Sequence, residues 1–157
     1  MEQRLDTLIC GGGLVGMTLG CALASAGMEV AVIDRDVIDT MDDAAYDGRA
    51  SAISWGSAQV FRSIGLWQHL EQAASPIYDI RVADGHPMHG ISPLFLHYDH
   101  SDVGDQPFGY IIENRATRVA LQKLADSLPS LTQIAPASVS ELIREGARAE
   151  ALLEDGR

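Results

Sequence analysis

Three glycines decide most of what this chain can become. Gly11, Gly13 and Gly16 stand in the pattern G-x-G-x-x-G, directly after an apolar run from Leu5 to Cys10. A helix-like segment follows and closes at Gly27, where a left-handed C-cap residue is wanted. The next run, Glu29 to Ile33, is rich in valine and isoleucine and ends at Asp34. Strand, glycine turn, helix and second strand make a βαβ half-unit built to hold a dinucleotide. Each special residue has a physical task in such a unit. Gly11 permits the tight turn, Gly13 lets the backbone approach a pyrophosphate, and Gly16 brings the helix against the strand. Leu14 and Val15 open the helix, whose free N–H groups and positive dipole end face the phosphates. Asp34, about 20 residues further on, offers a carboxylate to an adenosine ribose. Gly16, Gly20 and Ala24 recur at i, i+4 and i+8, giving the helix a flat face for close packing.

The same stretch is uncharged from Leu8 to Met28 and contains Ala24-Ser25-Ala26, a small-residue pattern that also occurs at signal cleavage sites. Two observations oppose a membrane or secretory role. Met1 to Thr7 carries Glu2 and Asp6 against Arg4, where a signal peptide needs a positive end. The glycines also limit the longest helix to Leu14–Ala26, short of the roughly 20 apolar residues a span requires. Net charge is -11, from 22 acids against 11 bases. That balance excludes an electrostatic nucleic-acid binder and opposes simple attraction to anionic lipid. Cys10 and Cys21 are the only cysteines and lack metal-ligand spacing, so reduced, buried core residues and a cytoplasmic location are expected.

Beyond Asp34, "RDVIDTMDDAAYDGR" reads as a polar loop with five aspartates. Residues 50–74 read as helical, with Val60, Ile64 and Trp67 on one face, Gly65 as a stop, and Leu66 to Ala74 as a second short helix. Trp55, Phe61 and Trp67 are expected to serve packing there. From Pro76 the period changes, and "IYDIRVAD", "PLFLHYD" and "FGYIIE" read as strands. Asn114 is a good N-cap for a helix over 114–128, with Leu121, Leu124, Ala125 and Leu128 as its buried stripe. "LTQIAP" is a short strand, and the tail forms two strands turning at Glu145-Gly146. A further turn begins at Asp155-Gly156, so the chain is expected to be an N-terminal piece of a longer protein. Two H-x-x-H patterns, His86 with His89 and His97 with His100, invite a metal. Residues i and i+3 of a strand point to opposite faces, so no metal site is expected there.

The segments "DGRASAISWGSAQVFRSIGLW" (47–67) and "GYIIENRATRVALQKLADSL" (109–128), following the glycine motif in that order, closely resemble the ubiquinone-biosynthesis hydroxylases. These are FAD-dependent aromatic monooxygenases with the p-hydroxybenzoate hydroxylase fold. The resemblance implies an α/β chain in which an FAD-binding Rossmann-like domain is interrupted by strands of a β-sheet substrate domain. In that scheme residues 1–75 and 111–157 belong to the FAD part and 76–110 to the substrate domain. It implies FAD as cofactor, NAD(P)H as a candidate electron donor, and a polyprenylated phenol as substrate, hydroxylated with reduced flavin and dioxygen. Loose association with the inner face of a membrane or with a biosynthetic complex is implied by so greasy a substrate.

Residue roles carry over by position. Gly11, Gly13 and Gly16 match the pyrophosphate loop and Asp34 the ribose acid, with Arg35 near the adenine end. Arg49 matches the arginine of the D-G-R segment that reaches the flavin, and Arg115 or Arg118 matches one that contacts the cofactor. Cations in a first helical turn oppose the macrodipole by about 0.3–1 kcal/mol. A phosphate or ribityl partner accounts for Arg115 and Arg118 there, as does plain solvent exposure. The family's later D-G and G-D motifs are absent from these residues, so this piece alone is expected to be inactive. The flavin performs the oxygen chemistry, so no catalytic acid, base or nucleophile is expected. Two other readings of the βαβ unit are an NAD-dependent oxidoreductase and a non-catalytic nucleotide-binding module.

Overall fold

The structure is a computed structural model that describes residues 5–37 and 48–157. In chain order its elements begin with β1 (Thr7–Cys10), α1 (Leu14–Ser25), β2 (Val30–Ile33), β3 (Ala50–Ser54) and α2 (Trp55–Ser63). Two 3-10 turns follow, Trp67–His69 and Glu71–Ala73, then β4 (Ser75–Ile77), β5 (Asp79–His86), β6 (Gly90–Asp99) and β7 (Gly109–Glu113). The chain continues through α3 (Asn114–Asp126), β8 (Leu131–Ile134), β9 (Val139–Glu145) and β10 (Arg148–Leu153). Two compact units result, one from Met1–Gly48 with Asn114–Arg157, the other from Arg49–Glu113. Residues 49–75 thus group with the interrupting strands, although their sequence resembles the cofactor part. The aspartate-rich loop lies, apart from its ends, outside the described residues.

In the first unit β1, β2 and β8 form a parallel sheet in the order β1-β2-β8. The central strand is buried at all four positions, which is why Val30-Ala31-Val32-Ile33 has no polar alternation. Full burial of a valine such as Val30 or Val32 contributes about 1.5–3 kcal/mol. β1 occupies an edge of this sheet and buries only Ile9. The expectation that Cys10 is buried is therefore corrected: it is exposed, whereas Cys21 is fully buried. Helix α1 lies on β2 and α3, and Gly20 shows how closely, since a Cβ there would meet Val32 Cγ2 at 2.8 Å. Gly27 adopts φ +87° just beyond α1, and its N–H donates to the Ala24 carbonyl. On α3 the buried face is Thr117, Ala120, Leu121, Leu124 and Ala125. β9 and β10 form the hairpin read from the tail, turning at Gly146 with φ +60°.

In the second unit β7 is flanked by antiparallel β3 and β4. Residues 50–54 are thus strand, not helix: Ala50 to Ser54 pair in register with Glu113 to Gly109. A Cβ on Gly109 would lie 2.1 Å from the Ile53 carbonyl oxygen, so this crossing needs a glycine. The helix starts only at Trp55, where the Ser54 hydroxyl accepts from the Ser57 N–H at 3.2 Å. Its buried residues are Ala58 and Phe61; Val60 is exposed, and the expected second helix is a pair of 3-10 turns that bury Leu66 and Leu70. Arg62 ties these pieces together. Its guanidinium carbon lies 4.2 Å from the Trp67 ring centroid, 4.7 Å from that of Trp55 and 5.6 Å from that of Tyr110. Its Nη2 donates to the Tyr110 hydroxyl at 3.0 Å.

The β5–β6 hairpin keeps the alternation expected of it, yet both strands are almost wholly exposed. Register places Ile80 with Tyr98 and Val82 with Leu96, and on the opposite face Asp79 with Asp99 and Arg81 with His97. No helix among the described residues is long and apolar enough to cross a membrane.

Candidate cofactor site

The first unit carries a cavity of about 260 Å³ above the ends of its parallel strands. Gly12, Gly13, Leu14, Asp34 and Arg118 line it, with Met17, Val32, Gln133 and Ala135 adding an apolar wall and a side-chain amide. Ligand pockets usually measure roughly 300–1,000 Å³, so this one suits one nucleotide half of a larger cofactor. Its position at strand ends, beside a helix N-terminus, is where open α/β sheets bind ligands.

The glycines differ in what they do. Gly11 has φ +109°, a left-handed conformation that makes the turn. A Cβ on Gly16 would sit 1.9 Å from the Gly11 carbonyl oxygen, so the first turn of α1 lies against the loop. A Cβ on Gly13 would meet no protein atom within 4 Å. The protein does not demand glycine at Gly13; the open space over its backbone is what an approaching phosphate uses. No side chain caps α1, and its first turn holds no acidic residue. The amides of Leu14, Val15 and Gly16 therefore begin a helix whose positive end is available to an anion.

Asp34 is fixed from several sides. Its N–H donates to the Ile134 carbonyl at 3.1 Å, and its own carbonyl accepts from Ala137 at 2.7 Å. Its Oδ1 accepts from the Asp36 N–H at 2.8 Å and its Oδ2 from the Gly12 N–H. Gly12, one of the unspecified positions of the motif, is thus a site residue that the spacing rule passes over. Gln133 and Ala135 were also not singled out, because they come from β8 and the residues after it, about a hundred residues downstream.

The arginines fall differently. Arg118 lines the cavity, while Arg115 stands in the same first turns of α3 without lining it. Arg35 is 82% exposed and lies 3.9 Å from the Asp36 carboxylate. Arg49 opens the second unit, immediately before β3. Away from the cavity, Asp79, His97 and Asp99 gather on one face of the β5–β6 hairpin. His97 Nε2 is already 2.6 Å from Asp79 Oδ1, and Asp99 accepts from the Ser101 N–H and hydroxyl. Those two bonds hold the Asp99 carboxyl below the usual carboxylate range. His100, the partner suggested by spacing, packs against Tyr78 with the rings tilted by 53° and their centroids 4.7 Å apart.

A glycine turn without a side chain over Gly13, an uncapped helix start and a carboxylate at the end of β2 define a dinucleotide-binding βαβ unit. The family model described as "FAD binding domain" matches residues 4–157, and the chain belongs to that family. The chain is 45% identical over 156 residues to ubiquinone hydroxylase UbiL of Rhodospirillum rubrum, covering 99% of this chain and 35% of that protein. It is 27% identical to 3-demethoxyubiquinol 3-hydroxylase of Escherichia coli, over 99% of this chain and 39% of the relative. The chain thus spans about a third of the length of these curated relatives. Among solved structures, p-nitrophenol 4-monooxygenase PnpA from Pseudomonas putida superposes with a TM-score of 0.76 at 19% identity, over 99% of this chain and 38% of that one. The fold is therefore that of the FAD-dependent monooxygenases. FAD is the cofactor of this family, and the cavity's donors and acceptor fit its ADP half.

Proposed function

We propose that the whole protein is an FAD-dependent aromatic monooxygenase that hydroxylates the ring of a polyprenylated phenol in ubiquinone biosynthesis. The observation that carries this reading is the 45% identity with ubiquinone hydroxylase UbiL along 99% of the chain. The residues described here supply the adenosine and pyrophosphate end of the cofactor site. The Gly13 backbone and the amides opening α1 bind the pyrophosphate, and the Asp34 carboxylate accepts from the adenosine ribose. Arg118 brings a positive charge to the same cavity. Met17, Val32 and Ala135 exclude water from the adenine side. Bound FAD supplies the oxygen chemistry, with NAD(P)H as the electron donor. Arg49, Arg115 and Arg35 are proposed as further contacts along the cofactor. The protein acts in the cytoplasm, peripheral to the inner face of the membrane where so apolar a substrate resides, alone or within a biosynthetic complex.

The test is a paired titration of the full-length protein with FAD and with NAD, followed by flavin fluorescence and thermal stability. Saturable FAD binding, abolished in Gly13→Val and weakened in Asp34→Ala, is the expected outcome. Preference for NAD overturns it. Mass spectrometry of a polyprenylated phenol incubated with the FAD-loaded protein, NAD(P)H and dioxygen then tests for one added ring oxygen.

A further inference from the structure

Asp34 does more in this fold than present a carboxylate to a ribose. Gly12 is buried, and its N–H points at Asp34 Oδ2 and not at the open side of the loop. The other oxygen, Oδ1, is held by the Asp36 N–H at 2.8 Å. The fit is tight on the side-chain side as well. A Cβ on Gly12 would lie 3.0 Å from Asp34 Cβ and 3.1 Å from Oδ2. The three consecutive glycines therefore have three separate causes. Gly11 turns the chain with φ +109°, Gly13 leaves space for a ligand, and Gly12 leaves space for Asp34.

We propose that Asp34 is a positioning residue that clamps the glycine loop through the Gly12 amide, setting the loop's shape before any cofactor arrives. This rests on the flavin reading of the cavity and adds a second role to the residue that reading already uses. A carboxylate has about four lone-pair sites, so two backbone donors leave capacity for ribose hydroxyls. The clamp also aims the loop. With the Gly12 N–H turned inward to Asp34, the amides left for phosphate are those from Gly13 onward. Charge-assisted bonds of this kind are stronger than neutral ones, which suits a contact spanning residues 22 apart in sequence.

Two ligands separate the roles. ADP offers ribose hydroxyls, whereas 2′,3′-dideoxy-ADP does not. If Asp34 served only the ribose, Asp34→Ala would weaken ADP and leave dideoxy-ADP unchanged. The clamp requires Asp34→Ala to weaken dideoxy-ADP as well, by about tenfold for the loss of one bond to a charged group. Gly12→Ala should weaken both ligands by a similar factor. The double variant should be little worse than either single one, because both break the same contact. Unchanged dideoxy-ADP affinity in Asp34→Ala, or fully additive losses in the double variant, overturns the proposal. A measurement on the unsubstituted full-length protein does not depend on variants that fail to fold. Hydrogen exchange without ligand should show the Gly12 amide protected and those of Leu14 and Val15 exchanging faster; equal, fast exchange at all three overturns the clamp. Absence of binding by either nucleotide would count against the flavin reading, and the exchange result would still decide the clamp.

Discussion

Gly16 and Gly20 occupy equivalent places one turn apart on α1, and alanine at each should have unequal consequences. Alanine in a helix interior gains about 1 kcal/mol over glycine at either position. The costs differ. At Gly20 the new Cβ would meet side-chain methyls, Val32 Cγ2 at 2.8 Å and Leu131 Cδ1 at 3.2 Å. Val32 is buried and stiff at its branched Cβ, so α1 must ease away slightly, at a mid-range overpacking cost of about 2 kcal/mol. The net loss at Gly20 is about 1 kcal/mol. At Gly16 the Cβ would lie 1.9 Å from a backbone oxygen, that of Gly11. Loop or helix must shift by about 1 Å, which places the cost near the upper end of overpacking, about 3 kcal/mol. The net loss is about 2 kcal/mol, or roughly 4–8 °C in melting temperature for a chain of this size. Urea denaturation followed by circular dichroism, without FAD, measures both. Gly16→Ala should also weaken FAD, because Gly13 and the start of α1 move with the loop. Equal effects at the two sites, or a stabilised Gly16→Ala, would refute the steric reasoning.

Arg62→Leu should destabilise the second unit by about 1–3 kcal/mol, since it removes the contacts with Trp67, Trp55 and Tyr110 together. Near-ultraviolet circular dichroism should lose its tryptophan bands at a denaturant concentration where the unsubstituted protein keeps them. The two thiols should react very differently with a disulfide reagent at pH 8. Cys10 is exposed and should react at once, whereas Cys21 is buried and should react only on unfolding. Burial pushes the Cys21 thiol from its ordinary 9.0 up to about 11. A raised folded value favours the protonated native state, so this contribution is full below pH 9.0 and is lost as pH rises toward about 11. Denaturation midpoints across that window should fall more for the unsubstituted protein than for Cys21→Ala.

The parts of the fold legible in the sequence are those decided by neighbours along the chain. G-x-G-x-x-G works as a signal because turn, helix start and strand contact all fall within six residues of Gly11. The α3 stripe of Leu121, Leu124 and Ala125 was legible for the same reason, since helical period alone sets it. Ala50 to Ser54 were misread because alanine and serine give no local objection to helix. Their conformation comes from pairing with Gly109 to Glu113, some 60 residues away. Gly12 was passed over because its constraint is the Asp34 side chain, which the spacing rule does not see. Cys10 lies on the same face of β1 as the exposed Leu8, whereas Ile9 on the other face is buried, and one strand's composition does not say which of its faces is covered.

Helix α1 forgoes a capping side chain at the end that faces the cavity, a contact that contributes about 1 kcal/mol in most helices. Under the flavin reading that stabilisation arrives with the cofactor. Ligand at a hundred times its Kd adds about 2.7 kcal/mol to a protein that binds it only when folded. Loss of the ligand then lowers the stability of the chain itself. The unliganded chain is the less stable form and the one more readily lost to unfolding and proteolysis, so occupancy of the cavity decides how long the polypeptide persists.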